Sequence, residues 1–221
     1  MKAKLTINDR TVYYIADTHF GHEKIIDYSG RPFDSVPAMD EAMRERWNEN
    51  IREDDIVVII GDLAYKSDDP FAVLASLKGK KYLVPGNHDK EIVSAAGKAG
   101  KTVTVTNELL TVLDHGVEIL CCHYPLVEWR GQYRNALHFY GHVHNNTGIT
   151  SYSYLSMQKN TYNVGSDILG FIPRNKDDVI RLNYEQGWKQ GSAPEIPYVV
   201  VRSETSKQIR EREKNNIKKL F

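Results

Sequence analysis

Three short stretches, TVYYIA (11–16), DIVVIIG (55–61) and KKYLVPG (80–86), are β-branched and almost continuously apolar. A strand with water on one face alternates apolar and polar residues, whereas one buried on both faces does not. These stretches therefore predict the central strands of a sheet covered on both sides. The intervening chain supplies the cover. VPAMDEAMRERWNENI sets Met39, Met43, Trp47 and Ile51 four residues apart on one helical face, and DPFAVLASL opens on Asp69 and Pro70, a cap and first-turn pair. After residue 100 the pattern changes to TVTVT, ELLTVLDHG and VEILCCH, a hairpin-like series, followed by HFYGHVH and TYNVGSD. A second sheet is expected, giving a layered α/β sandwich rather than a simple doubly wound sheet.

At 221 residues and 41% hydrophobic composition the chain can bury one large core, so a single domain over 1–221 is expected, with 203–221 (SETSKQIREREKNNIKKLF) read as a charged C-terminal helix. Lys plus Arg equals Asp plus Glu at 29 each. No net field then draws in long nucleic acid or an acidic membrane surface. No apolar run approaches the ~20 residues of a membrane span, and MKAKLTINDR lacks the apolar core of a signal peptide. Cys121 and Cys122 are adjacent, which argues against a disulfide framework and reads as buried strand positions. A cytoplasmic location is expected.

The ends of the strands are less ordinary. The first runs into Asp17-Thr18-His19, the second into Gly61-Asp62, the third into Gly86-Asn87-His88-Asp89, and later ones into His123 and Gly141-His142-Val143-His144. Six of eight histidines (His19, His22, His88, His123, His142 and His144) fall in these segments; His115 and His138 do not. Singly, each is a solvated strand end or a turn residue, and His123 by itself reads first as a hydrogen-bonded core histidine. Jointly, five loops all carry ligand-type side chains at strand ends, where sheets of this kind place their sites. Imidazole and carboxylate donors without thiolates suit first-row divalent ions, and two Asp, one Asn and four His exceed one tetrahedral zinc. Two ions about 3.5–4 Å apart need a bridging carboxylate, and Asp62, after a central strand, is the natural bridge.

In this order DTH, GD, GNHD, CHYP and GHVH resemble the calcineurin-like metallophosphoesterase superfamily over roughly residues 12 to 168. The resemblance implies that family's four-layer αββα sandwich. It also implies that Asp17, His19, Asp62 and His144 hold one metal and Asp62, Asn87, His123 and His142 the other. His88 would protonate the leaving group or hold a phosphoryl oxygen. Manganese is the expected metal, with iron, zinc or nickel possible, and the reaction would be hydrolysis by a metal-activated hydroxide. DTHFGHEKIIDYSGRPFDSVPAMDEAM further resembles a small single-domain bacterial and phage branch, which makes His22 and Arg31 candidates for the mouth of the site. NVGSD (163–167) resembles that branch's closing motif, with Asn163 and Asp167 read as structural. Many relatives write the second motif with a later Asp that orients the histidine of Gly-Asn-His; here GDLAYK puts Tyr65 and Lys66 in that region, and Asp89 or substrate is left to compensate.

The substrate is expected to be a small phosphate ester, with a phosphodiester or nucleotide-type molecule favoured and neither long nucleic acid nor membrane implicated. YPLVEWRGQYRNALHFY (124–140) could form a lip in which Trp129 stacks a base and Arg130 and Arg134 pair with phosphate. A phosphomonoesterase or protein phosphatase, and a non-catalytic metal-binding scaffold, are the alternatives.

Overall fold

The computed structural model describes residues 2–67, 69–95 and 102–194; the helix expected over 203–221 lies outside them. The elements run β1 (Lys2–Ile7), β2 (Val12–Ile15), α1 (Glu23–Ser29), α2 (Val36–Asn50), β3 (Ile56–Ile60), α3 (Pro70–Ser76), β4 (Lys80–Val84), α4 (Lys90–Ser94), β5 (Thr104–Asp114), β6 (Val117–Cys122), β7 (Leu137–Tyr140), α5 (Tyr152–Met157), β8 (Thr161–Asn163), α6 (Ser166–Leu169) and α7 (Lys176–Glu185). The three apolar stretches are β2, β3 and β4, paired in parallel. TVTVT and ELLTVLD, separate pieces by their local pattern, form one strand. The first residues of β5 pair in parallel with β4, while its remainder pairs antiparallel with β6 and parallel with β1. β1 is an addition to the expected strands, because its polar alternation is that of an edge strand.

Because β5 belongs to both halves, the sheet curls. Its far side runs β6, β7, β8, all parallel, and the segment after β8 returns to β2: Ala16 N–H donates to Val164 O and Ser166 N–H to Ala16 O, each at 2.8 Å. Between the halves, Tyr14, Ala16, Val58, Ile60 and Val84 meet Val112, Ile119, Cys121, Leu137 and Phe139, all buried. Alternate residues of the first half, Ile15, Val57, Ile59 and Leu83, face outward onto Met39, Met43, Trp47, Leu74 and Ile92 of the helices. The Trp47 indole N–H donates to Lys78 O at 3.0 Å, so this buried aromatic keeps its polar group satisfied. Asp69 caps α3 by accepting from Phe71 and Ala72 N–H, as its place before Pro70 suggests. On the outer face of the second half, Tyr140 accepts from the Trp188 indole at 2.8 Å, Trp129 lies against His138, and Leu155 of α5 is buried. The architecture is thus the layered α/β sandwich. No helix among the described residues is long and apolar enough to cross a membrane.

His138 has a purely structural place here. Its Nδ1 lies 3.0 Å from Leu120 O and its Nε2 accepts from Leu126 N–H at 3.0 Å, which fixes a neutral ring. Burial pushes its pKa down to about 4. As pH falls, the unfolded chain takes up a proton near 6.5 while the folded ring resists until near 4. The stabilisation is therefore complete above 6.5 and is lost as pH drops to the folded value, to a total of about 3 kcal/mol. Urea titrations of wild type and His138→Gln are expected to show a gap that narrows by roughly that amount between pH 7.5 and pH 4. A gap independent of pH would contradict the assignment.

Candidate metal centre

The C-terminal ends of β2, β3, β4, β6 and β7 converge, and the backbone turns sharply there. Among the described residues, Asp17, His19, Asp62, His142 and His144 all have left-handed backbones, with φ between 51° and 70°. Such conformations are uncommon outside glycine and persist where the surroundings impose them. The glycines of the motifs permit close approach of the loops. A Cβ on Gly86 would lie 2.3 Å from Asp62 Oδ1, and one on Gly61, whose φ is 82°, would lie 2.3 Å from His123 Nδ1.

Two groups of side chains result, Asp17, His19 and His144, and Asp62, His123 and His142, each with donor atoms within 4.8 Å of one another. Asp62 faces both: its Oδ2 is 3.7 Å from His19 Nε2 and 3.4 Å from His123 Nε2. Asn87 Oδ1 joins the second group, 3.1 Å from both His123 Nε2 and His142 Nδ1. His19 Nε2 is buried without a hydrogen-bond partner. An imidazole nitrogen orphaned beside carboxylates is costly unless a further atom completes the site. With two carboxylates, an amide oxygen and four imidazoles, the residues present fit divalent first-row cations.

The imidazoles are aimed by a second ring of contacts. His144 Nδ1 is 2.9 Å from Asp167 Oδ2 and His123 Nδ1 is 3.0 Å from Ile60 O, which leaves each Nε2 directed into the site. Asp167 is held in turn by Arg31, whose Nε donates at 2.8 Å, while the guanidinium also donates to Thr18 O, Asp17 O and Ser166 Oγ. Asn163 Nδ2 donates to His144 O. Asp89 is 1% exposed and accepts from the backbone N–H groups of Asp62, Leu63 and Gly86, clamping the β3 and β4 loops together. Its carboxylate is thereby engaged away from the His88 ring.

Charge is unevenly spread. Burial lifts Asp17 to about 6. Burial also opposes the charge of Asp62, but hydrogen bonding and attraction from His123 prevail and hold it at about 2. Burial and the neighbouring His144 drive His19 down to about 2. His22 falls to about 4 through burial and then the proximity of His88. A neutral His19 is the state that can donate a lone pair to a cation.

A cleft of about 750 Å³ opens over both groups, lined by His19, His22, Asp62, Asn87, His88, His142 and His144 and by residues not singled out in the sequence, Lys24, Tyr28, Asn145 and Asn146, together with Lys66. His22 sits at its wall, its ring 5.2 Å from His19. Tyr65 stands between two imidazoles, with centroids 4.4 Å from His22 and 4.5 Å from His88. The His88 ring packs edge-on against both Tyr65 and His19, the latter at 5.4 Å, and its Nε2 lies 3.9 Å from Asp62 Oδ2.

The structure corrects several expectations. Arg31 is not at the mouth: it is 5% exposed and its donors are spent on Asp167 and on carbonyls of the site's backbone. Trp129 is 7% exposed, donates to Ala136 O and packs on His138, so it offers no face to a base. Arg130 and Arg134 are exposed but do not line the cleft. Ser166, whose hydroxyl donates to Asp17 O at 2.7 Å, joins the site without having been singled out; its only sequence signal is its place in NVGSD after a short strand.

The pattern of the calcineurin-like phosphoesterase family matches residues 10–180. An uncharacterized protein of Methanocaldococcus jannaschii is 28% identical over 177 residues, covering 78% of this chain and 91% of its own length. The Gene 66 protein of Mycobacterium phage D29 is 26% identical over 161 residues, 60% of this chain and 78% of that protein. A solved structure of a protein of unknown function, AQ665 from Aquifex aeolicus, superposes with a TM-score of 0.61 at 23% identity over 77% of this chain and 98% of that one, a likeness of fold.

Proposed function

The chain belongs to the calcineurin-like phosphoesterase family, whose members hydrolyse phosphoric esters with divalent metal ions, and from that premise we propose that it is a dinuclear phosphodiesterase acting on small nucleotide-type esters. The observation that carries the reading is the pair of donor groups sharing Asp62 between them. Asp17, His19, Asp62 and His144 would hold one ion and Asp62, Asn87, His123 and His142 the other, with manganese the first metal to try. When bound, the ions supply Lewis acidity, lowering the pKa of water toward neutrality and offsetting charge on phosphoryl oxygens. Asp17 and Asp62 contribute the negative charge that binds cations in a buried setting. Asp167 and the Ile60 carbonyl keep His144 and His123 in the tautomer that presents Nε2. His88, packed against Tyr65 and His19 at the cleft wall, donates a hydrogen bond or a proton to the departing ester oxygen. Lys24, Lys66 and the exposed ring of Tyr28 around the cleft support an anionic substrate bearing an aromatic group.

Metal-stripped protein is expected to regain hydrolysis of bis-p-nitrophenyl phosphate as manganese is added, levelling at two ions per chain. Turnover of p-nitrophenyl phosphate alone would make it a phosphomonoesterase, and two bound ions without turnover of either would favour the scaffold.

A further inference from the structure

A second cleft, of about 980 Å³, lies against the same centre and shares Asn87 with the first; Gly86, Asn87, His123 and Tyr124 form its inner wall. It is the more apolar of the two. Both clefts carry lysine and asparagine, but the second adds a run of apolar groups, Pro85, Val93, Leu109, Cys122 and Tyr124, among Lys90, Thr106, Asn107 and Glu108. Leu109 is 50% exposed and Tyr124 47%, both large apolar groups left open beside a polar centre. Tyr124 also ties the cleft to the site: its ring packs at 5.1 Å from His123 and 4.6 Å from His142, and its hydroxyl is 3.5 Å from Asn87 Oδ1.

We infer that the second cleft binds the retained, apolar or aromatic arm of a phosphodiester, so that the substrate straddles the centre with one ester arm in each cleft. The inference rests on the phosphodiesterase reading above and adds the disposition of the arms. His88 lines the first cleft but not the second, so the departing oxygen faces the first. Water adds to phosphorus as the P–O bond on that side breaks. The alcohol leaves with a proton from the protein or from water, and the product is a monoester that still carries the apolar arm. A monoester has no second arm to occupy Leu109 and Tyr124. A difference of one methylene in the apolar group held by such a pocket changes kcat/KM by about 10- to 200-fold.

The test keeps the leaving group constant as p-nitrophenolate and varies the retained arm, methyl against phenyl, with manganese-loaded full-length protein. Wild type is expected to favour the phenyl ester about tenfold or more. Leu109→Gln, a substitution on an exposed strand position, should bring the phenyl-to-methyl ratio down to about two or three, whereas Leu109→Phe should keep it. Comparing ratios between proteins cancels the intrinsic reactivity of the two esters. A wild-type ratio near one, or an unchanged ratio in Leu109→Gln, overturns the subsite while leaving the phosphoesterase reading intact. No metal-dependent turnover of either ester overturns both.

Discussion

Asp62→Asn is expected to lower metal-dependent hydrolysis of a phosphodiester by about 10³-fold, roughly 4 kcal/mol of barrier, without unfolding the protein. Asp62 Oδ2 lies 3.7 Å from His19 Nε2 of one donor group and 3.4 Å from His123 Nε2 of the other, so losing its charge weakens the hold on both ions together. The backbone should tolerate the change. Asn accepts the left-handed conformation that Asp62 adopts at a φ of 55°, and its amide oxygen can still receive the His88 N–H that Asp62 Oδ1 receives at 2.9 Å. Metal analysis of the purified variant should find one ion or fewer per chain, with a melting temperature in chelator close to that of the wild type. Two tightly bound ions and a rate within tenfold of wild type would remove Asp62 from the role of bridge.

Arg31→Met should produce the largest loss of stability, about 3–5 kcal/mol, because removing one partner leaves the Asp167 carboxylate charged and buried. Arg31 Nε donates to Asp167 at 2.8 Å with both side chains almost wholly shielded from water. The guanidinium also satisfies the carbonyls of Asp17 and Thr18 and touches Ser166 Oγ. Lys has a single ammonium in place of the planar fork and cannot meet these partners at once, so Arg31→Lys should recover little. The effect must be measured on metal-free protein by urea unfolding. In surviving folded protein, manganese should also bind about 10- to 100-fold more weakly, because Asp167 no longer holds the His144 ring at a fixed angle. A stability change under 1 kcal/mol would contradict the reading of Arg31 as the buried pivot of this network.

These two residues illustrate how differently the site is legible. Asp62 follows an unbroken apolar strand, so its position at the end of a central strand can be read from IVVIIGD alone. His19, His123 and His144 are legible only together: singly each reads as a strand end or, for His123, a core histidine, and it is their recurrence at successive strand ends that points to a ligand set. Arg31 is recognisable as belonging near the site, yet the sequence leaves open whether it stands at the mouth or pairs with an acidic neighbour, and the structure shows the pair, with Asp167. An arginine in a loop between two helices carries no local sign of whether its fork meets substrate or buried carbonyls. Trp129 and its neighbouring arginines mislead for a related reason: aromatic and basic residues cover a sheet edge as readily as they bind a nucleotide. Tyr65 is visible only as a departure from pattern, and its packing against His22 and His88 depends on three loops meeting.

The sequence by itself determined the layered α/β class, the central strands and the ligand-type residues at their ends, because hydrophobic periodicity and strand-end chemistry are local properties of the chain. Only the tertiary structure decided that β5 runs through both halves and curls the sheet. It alone showed that Asp167, Arg31 and Asp89 hold the centre from behind, and that two clefts of unlike polarity meet at Asn87. Those features arise from contacts between residues far apart in the chain, and no local propensity specifies which distant partner a buried polar group will find.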